Sequence, residues 1–358
     1  MDWYPLELTA PVRDYAFGGR AIAEHLGREG LPGGTVAETW EVSDVGGSGA
    51  EVVRGSLAGR SLRSLTLEHP AEVVGPGWEG TAFPLLTKFI DASGTLPVHL
   101  HPDDADARRV HGEPNGKTEA WHILDAVPGA TALIGVLPGT SRAVLREALV
   151  REDYDAVLRR VPVRSGDTVY VPAGTPHSFG PGTLVHEIEQ TSDLQEQVPP
   201  RTPDADPGAR EEAVDRLLDQ CRTDLRPMPH PGLVLHHAEG VQRTVCCAGP
   251  HFALDRWRVG SGALLSCSPR GAVVLGNAGA PVRVRADGRS YPLGRARTLL
   301  LPAALRRVEV TGPADLLAGY LPDLERDVRA PLLAAGYGRA AVAALGEGLD
   351  GDSPGSPG

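Results

Sequence analysis

The chain has 358 residues and carries 35 Lys and Arg against 46 Asp and Glu, a formal net charge of -11. That length leaves room for two domains or one tightly fused pair, each able to bury a core. So acidic a composition offers no basic patch for nucleic acid or an anionic membrane, and a small-molecule partner is expected instead.

The four cysteines, Cys221, Cys246, Cys247 and Cys267, lie in the second half without CxxC spacing. They read as buried thiols rather than a zinc knuckle or disulfide framework. The N-terminal stretch MDWYPLELTAPVRDYAFGG has no basic segment followed by an apolar core, and no run reaches the roughly 20 apolar residues that span a bilayer. The expected location is the cytoplasm.

Abundant Gly (44) and Pro (32) punctuate short β-branched runs, the pattern of a mainly β protein with tight turns. Expected strands cover 37–44, 83–92, 97–102, 118–126, 130–137, 167–174 and 183–190. Apolar residues at helical spacing over 141–161, behind a Ser cap, predict a helical insertion. Residues 197–232 read as a linker holding a helix over 209–223, which sets a first domain at 1–196. The strand pattern resumes over 233–323 as a second β-domain, with Trp257 and Phe252 as core residues and a structural role for the whole. A C-terminal helix is expected over 324–349 and a disordered tail over 350–358. Two β-barrels in one chain are compatible with a divergent duplication.

The chemistry concentrates in the first domain. His99 and His101 are two apart, so on a strand they point to one side, and Glu119 on a following strand adds an anionic oxygen. Residues 166–177, GDTVYVPAGTPH, place Gly166, Pro172, Gly174 and His177 at the spacing G-x5-P-x-G-x2-H, the second cupin motif. Its glycines and proline shape the turn that presents His177 inward. An isolated HxH is common on solvated strands, but joined to Glu119 and His177 it reads as a metal site. Three imidazoles and a carboxylate suit zinc, iron, manganese, cobalt or nickel and leave positions open for water or substrate. His111, His122, His186 and the pair His236–His237 lack such support and read as surface or satisfied core histidines.

Several segments are similar to the type I mannose-6-phosphate isomerases, in particular their short bacterial members. They are ETWEVSD (38–44), FPLLTKFIDASGTLPVHLHPDD (83–104), GKTEAWHILDA (116–126), VPAGTPHSFGPGTLVHEIEQTSD (171–193) and, more weakly, TLLLPA (298–303). The resemblance implies two cupin-type jelly-roll barrels and a zinc-dependent isomerase that exchanges an aldose phosphate and a ketose phosphate. It implies His101, Glu119 and His177 as metal ligands, with His99 where the family usually has glutamine. Lys117 matches an active-site lysine of the family. Lys88 matches another, with a charge on the barrel rim as the alternative.

Pro97 stands where the family has serine, and Gln197 where it has an arginine implied to stabilise the enediol. A neutral Gln197 cannot replace a guanidinium electrostatically, and Arg201 is the nearby substitute to consider. Two rival readings stay open on the residues alone. Three His and one Glu also form the ligand set of many cupin dioxygenases, and the loss of the arginine also fits a non-catalytic sugar-binding cupin. The partner in each case is a small molecule, a sugar or sugar phosphate for the isomerase, acting on a monomer or homodimer.

Overall fold

Alternation of inward and outward side chains along short strands builds four antiparallel sheets that pair into two barrels. A computed structural model of the chain describes residues 2–46, 49–201 and 207–351. The first barrel has a six-stranded sheet in the order Val12–Arg13, Glu38–Val42, Leu85–Ala92, Thr183–Gln190, Glu119–Ala126 and Thr168–Val171. Its five-stranded partner runs Glu196–Gln197, His99–Leu100, His177–Phe179, Thr131–Val136 and Leu158–Pro162.

The second barrel repeats this plan. Its six-stranded sheet runs Leu233–Ala238, Val241–Ala248, Ala253–Val259, Ala314–Tyr320, Val273–Asn277 and Thr298–Leu301, and a four-stranded sheet closes it. The small sheet runs Leu264–Cys267, Val308–Thr311, Val282–Ala286 and Arg289–Leu293. Strand for strand the two orders coincide, apart from the extra edge strand Glu196–Gln197 in the first barrel. That coincidence is what a duplication would leave behind, and the mainly β, double jelly-roll architecture is the one expected from the sequence.

The two large sheets pack back to back. Ala120, Tyr170 and Ile188 from the first join Leu254, Val274 and Leu317 from the second in one buried cluster, with Phe252 just before the strand Ala253–Val259. On the same strands, the residues one position along face the barrel interiors, so each sheet is buried on both sides. One hydrogen bond also crosses here: Arg256 donates through Nη1 to His122 Nε2 at 3.0 Å while holding Asp315 through Nε and Nη2.

The structure departs from the sequence reading in several places. The helix expected over 141–161 spans only Arg142–Arg151, capped by Ser141, and Leu158–Pro162 is a strand. Glu152 closes the helix in the left-handed region with φ of 63°, and alternating residues then pair with the strand Thr131–Val136. The second helix spans Pro207–Gln220 and packs on the first through Arg142–Asp219 and Arg146–Asp215 ion pairs. Both cover the outer face of the small sheet around Leu100, Leu133 and Val136.

The C-terminal segment is not one helix over 324–349. A wide helical turn Leu324–Arg329 leads into Ala330–Ala334, and a second short helix, Arg339–Ala343, follows a break at Gly336. Residues 352–358 of the expected tail and 202–206 of the linker lie outside the described residues. Leu6, at the start of the chain, bridges to Leu300 of the second barrel, and Gln197 still belongs to the first barrel's small sheet. All four cysteines are free; Cys246 and Cys247 are buried, Cys221 is half-buried, and Cys267 is exposed, contrary to the expectation of a buried thiol. No helix among the described residues is long and apolar enough to cross a membrane.

Candidate functional site

The small and large sheets of the first barrel bring the predicted residues together from opposite walls. On the small sheet His99 pairs with His177 on one side and with Gln197 on the other. On the large sheet Glu119 pairs with Glu189 and with Val171. The turn between Val171 and His177 carries Gly174 at φ of 80°, a region glycine enters without a Cβ penalty. Its N–H donates to His101 O at 2.8 Å, tying the turn to the HxH strand.

Gly116 serves the same end by close approach. A Cβ there would lie 2.4 Å from Pro102 O, so only glycine lets residues 116–118 cross the 102–104 segment. Lys117 N–H then donates to Pro102 O at 2.9 Å, and Thr118 N–H to Gln190 Oε1 at 2.9 Å. This fixes Lys117 and Glu119 beside His101.

Each histidine bonds a backbone carbonyl through Nδ1: His99 to Pro97 O at 2.8 Å, His101 to Leu194 O at 2.7 Å and His177 to Thr175 O at 2.8 Å. Because the carbonyls can only accept, Nδ1 carries the proton and Nε2 keeps its lone pair. Three such lone pairs converge: His99 Nε2 lies 3.0 Å from His177 Nε2. Glu119 Oε2 lies 3.0 Å from His101 Nε2, and Glu119 Oε1 lies 3.2 Å from His177 Nε2. His101 Nε2 and Glu119 Oε2 are buried without a hydrogen-bond partner. Imidazole lone pairs turned toward one another and toward a carboxylate are costly in a buried site unless a cation sits among them. The donor set therefore fits a divalent ion.

Charge around this centre is dense. Lys117 Nζ bridges Glu119 Oε2 at 3.2 Å and Glu189 Oε2 at 2.9 Å, while Lys88 Nζ bridges Glu187 Oε2 at 3.0 Å and Glu189 Oε1 at 2.9 Å. All five side chains are buried. Burial opposes the charge on Lys117, but Glu189 and Glu119 outweigh it and hold the amine above its usual range. Lys88 is likewise held well above its usual range against burial by Glu187, Glu189 and Glu38. Both lysines are ammonium ions rather than free bases.

Burial also opposes ionisation of Glu119, yet Lys117, His101 and His177 keep it well below the usual carboxylate range. Glu189 moves the other way: burial and then the neighbouring Glu187 lift it well above. Burial lowers His101 to about 4 and His99 well below its usual value, so both imidazoles stay neutral.

Sequence reasoning missed Glu187, Glu189, Glu38 and Trp40. Trp40 Nε1 donates to Glu38 Oε2 at 2.7 Å, and Lys88 lies 5.0 Å from the Trp40 ring centre. The missed signal was the ExE spacing at 187 and 189, two charges that a strand turns to the same side. Gln197 is half-buried beside His99. Arg201 is exposed, with its backbone N–H bonded to Glu152. Of the remaining histidines, His122 is a satisfied core residue bonded to Thr168 and Arg256. His186 is buried with both ring nitrogens unpartnered, and so is neither surface nor satisfied. His111 lies 3.6 Å from Glu196, and His236 and His237 are exposed.

The double barrel and its buried three-His, one-Glu centre define a cupin with a metal-competent site. Residues 6–120 match the model of the phosphomannose isomerase type I catalytic domain. The mannose-6-phosphate isomerase of Streptococcus mutans is 30% identical over 319 residues, spanning 88% of this chain and 98% of the relative. The mannose-6-phosphate isomerase ManA of Bacillus subtilis is 29% identical over 88% of this chain and 99% of its own. A crystal structure of the mannose 6-phosphate isomerase from Bacillus subtilis superposes with a TM-score of 0.78 at 24% identity, covering 88% and 99% of the two chains. The chain belongs to the type I mannose-6-phosphate isomerase family, a family of metal-dependent enzymes, and is itself an isomerase of that kind.

Proposed function

We propose that this enzyme interconverts mannose 6-phosphate and the corresponding ketose phosphate, and that His99, His101, Glu119 and His177 hold the divalent ion it depends on. The observation that carries this reading is the buried bridge of Lys117 between Glu119 and Glu189, set directly against the three histidines. Zinc is the proposed ion, since it accepts neutral nitrogen and carboxylate oxygen and tolerates open positions; iron, manganese, cobalt or nickel fit the same donors. Bound there, the ion would supply Lewis-acid polarisation of substrate oxygens.

The chain's own groups divide the remaining work. Aldose–ketose exchange moves a proton between adjacent carbons while negative charge builds on an oxygen. Lys117, an ammonium ion, donates hydrogen bonds to such an oxygen and cannot itself take the proton. Glu189, 2.9 Å from Lys117 Nζ and lifted above the usual carboxylate range by burial and Glu187, is the carboxyl in the cluster proposed to accept the proton. Lys88 keeps Glu187 ionised and the pocket wall rigid. The enzyme is proposed to act in the cytoplasm, as a monomer or homodimer.

Membership of the family favours this reading over the dioxygenase and the non-catalytic sugar-binding cupin. The decisive assay is turnover of mannose 6-phosphate and a panel of aldose phosphates by protein reconstituted with zinc, manganese or cobalt. Absence of exchange in every case would reject the reading. Gln197→Arg, which restores a cation beside His99, is expected to raise turnover by up to about 100-fold, the scale of one well-placed donor to developing charge.

A further inference from the structure

The second barrel retains an open cavity of about 600 Å³, within the roughly 300–1,000 Å³ range of small-molecule sites. Its floor is aliphatic, formed by Leu265, Leu275, Val308 and Val310 from both sheets. Trp257 stands in the wall, and the first barrel contributes Trp78 from the segment after Val74. Charged side chains, Arg243, Asp255, Arg270, Arg326 and Asp327, also line the cavity around this apolar floor.

One polar cluster beside the floor is incompletely paired. Arg243 donates to Asp255 Oδ2 at 2.7 Å, to Tyr320 Oη at 2.9 Å and to Asp327 O at 2.9 Å. This satisfies the guanidinium on that face but only half of the carboxylate. Asp255 is 3% exposed, and its Oδ1 has no hydrogen-bond partner. Trp78 Nε1, in the same lining, is also buried without an acceptor. A buried acceptor and a buried donor left open on one cavity are expensive to leave unmet, since each forfeits its hydration. Burial raises the Asp255 carboxyl above its usual range despite Arg243, consistent with a carboxylate that gains from one more donor.

We propose that the second barrel binds a small apolar ring compound bearing a hydroxyl or amino donor, with its ring among Trp257, Trp78 and the aliphatic floor and its donor on Asp255 Oδ1. The site is separate from the metal centre, and nothing in its argument depends on the isomerase reading. It gives the second barrel a binding role in addition to the structural one expected from sequence.

The test uses the full chain in its metal-loaded form and follows tryptophan fluorescence during titration with 2-naphthol and with 2-methoxynaphthalene. Saturable binding of 2-naphthol is expected, with the methoxy compound at least about 10-fold weaker, as loss of a hydrogen bond to a charged group implies. Val310→Trp, which fills the floor, is expected to abolish binding while metal content and isomerase activity stay unchanged. Ala318→Leu is the smaller intrusion to use if that variant does not fold. Asp255→Asn is expected to narrow the gap between the two compounds. No saturation by 2-naphthol, equal affinity for both compounds, or binding that survives the cavity-filling change would each overturn the proposal. Isomerase turnover is read separately, so failure of either idea leaves the other intact.

Discussion

Both barrels use one strand order, yet their interiors are chemically opposite. Across three neighbouring strands of the first large sheet, Lys88, Glu187 and Trp121 stand side by side. Across the three corresponding strands of the second, the row reads Asp255, Ala318 and Leu275. The first lumen holds Lys88 and Lys117 against Glu38, Glu119, Glu187 and Glu189 beside three histidines, whereas Leu275, Leu299, Leu316 and Val310 belong to the aliphatic cluster of the second. A jelly-roll presents every second residue inward whatever that residue is. Topology therefore supplies the pocket, and side chains at alternate positions alone decide whether it becomes a charged reaction centre or an apolar receptor.

The largest expected break in this contrast comes from the metal side. Glu119→Ala removes the one anionic donor and leaves three imidazoles with Lys117 facing them. Bound metal, measured by elemental analysis, is expected to fall from one equivalent per chain to near zero. Activity is expected to drop by more than about 100-fold, the upper end for changes merely next to a ligand. Metal retained at full stoichiometry would show that Glu119 is not a ligand.

A matched pair of interior changes sharpens the comparison next. Lys88→Met strips Glu187 and Glu189 of a shared cation in a fully buried site, which costs roughly 3–5 kcal/mol. Leu316→Ala deletes a fully buried side chain from the second lumen, at a cost of about 2–5 kcal/mol. Denaturant unfolding is expected to report losses of similar size. Only the first change should also lower turnover, because only the first lumen is built around charge. Equal loss of activity in both would mean that the two interiors are not independent.

Much of the first barrel was legible because its determinants are local. The HxH pair, the glycines and proline of 166–177 and the GKTE segment each announce a turn or an inward position within a dozen residues. Glu187, Glu189 and Glu38 escaped because a charge on a strand ordinarily faces water, and their burial depends on Lys88 and Lys117 reaching them from strands distant in sequence. The helix over-extended to 161 for a related reason: residues 158–161 fit a helical period, and only pairing with Thr131–Val136 makes them part of a strand. The cavity of the second barrel left no motif at all. It arises from the spacing of two sheets and from Trp78, which a different domain supplies.

The smallest expected effect lies where the barrels meet. His186 sits on the strand Thr183–Gln190, opposite His122 and Phe89, with its ring centre 5.2 Å from that of Phe89 in an edge-on arrangement. Burial lowers it from 6.5 to about 4, against a smaller opposing pull from Glu187. Above pH 6.5 the ring is neutral in both folded and unfolded chains and adds no pH dependence. Between 6.5 and 4 the unfolded chain takes up a proton that the folded chain refuses, so stability falls as pH falls, and the loss levels off below 4. At pH 5 the expected penalty is about 2 kcal/mol. His122, well below its usual value through burial and then Arg256, and His230, at about 4 through burial, act in the same direction. His186→Leu removes one of several such contributions, so the drop in unfolding free energy from pH 7 to pH 5 should shrink by about 2 kcal/mol without vanishing. An unchanged drop would mean that the His186 ring is already solvated or charged in the folded protein. The interface would then owe its stability to its apolar cluster and to hydrogen bonds such as Arg256–His122, with no pH-dependent share from His186.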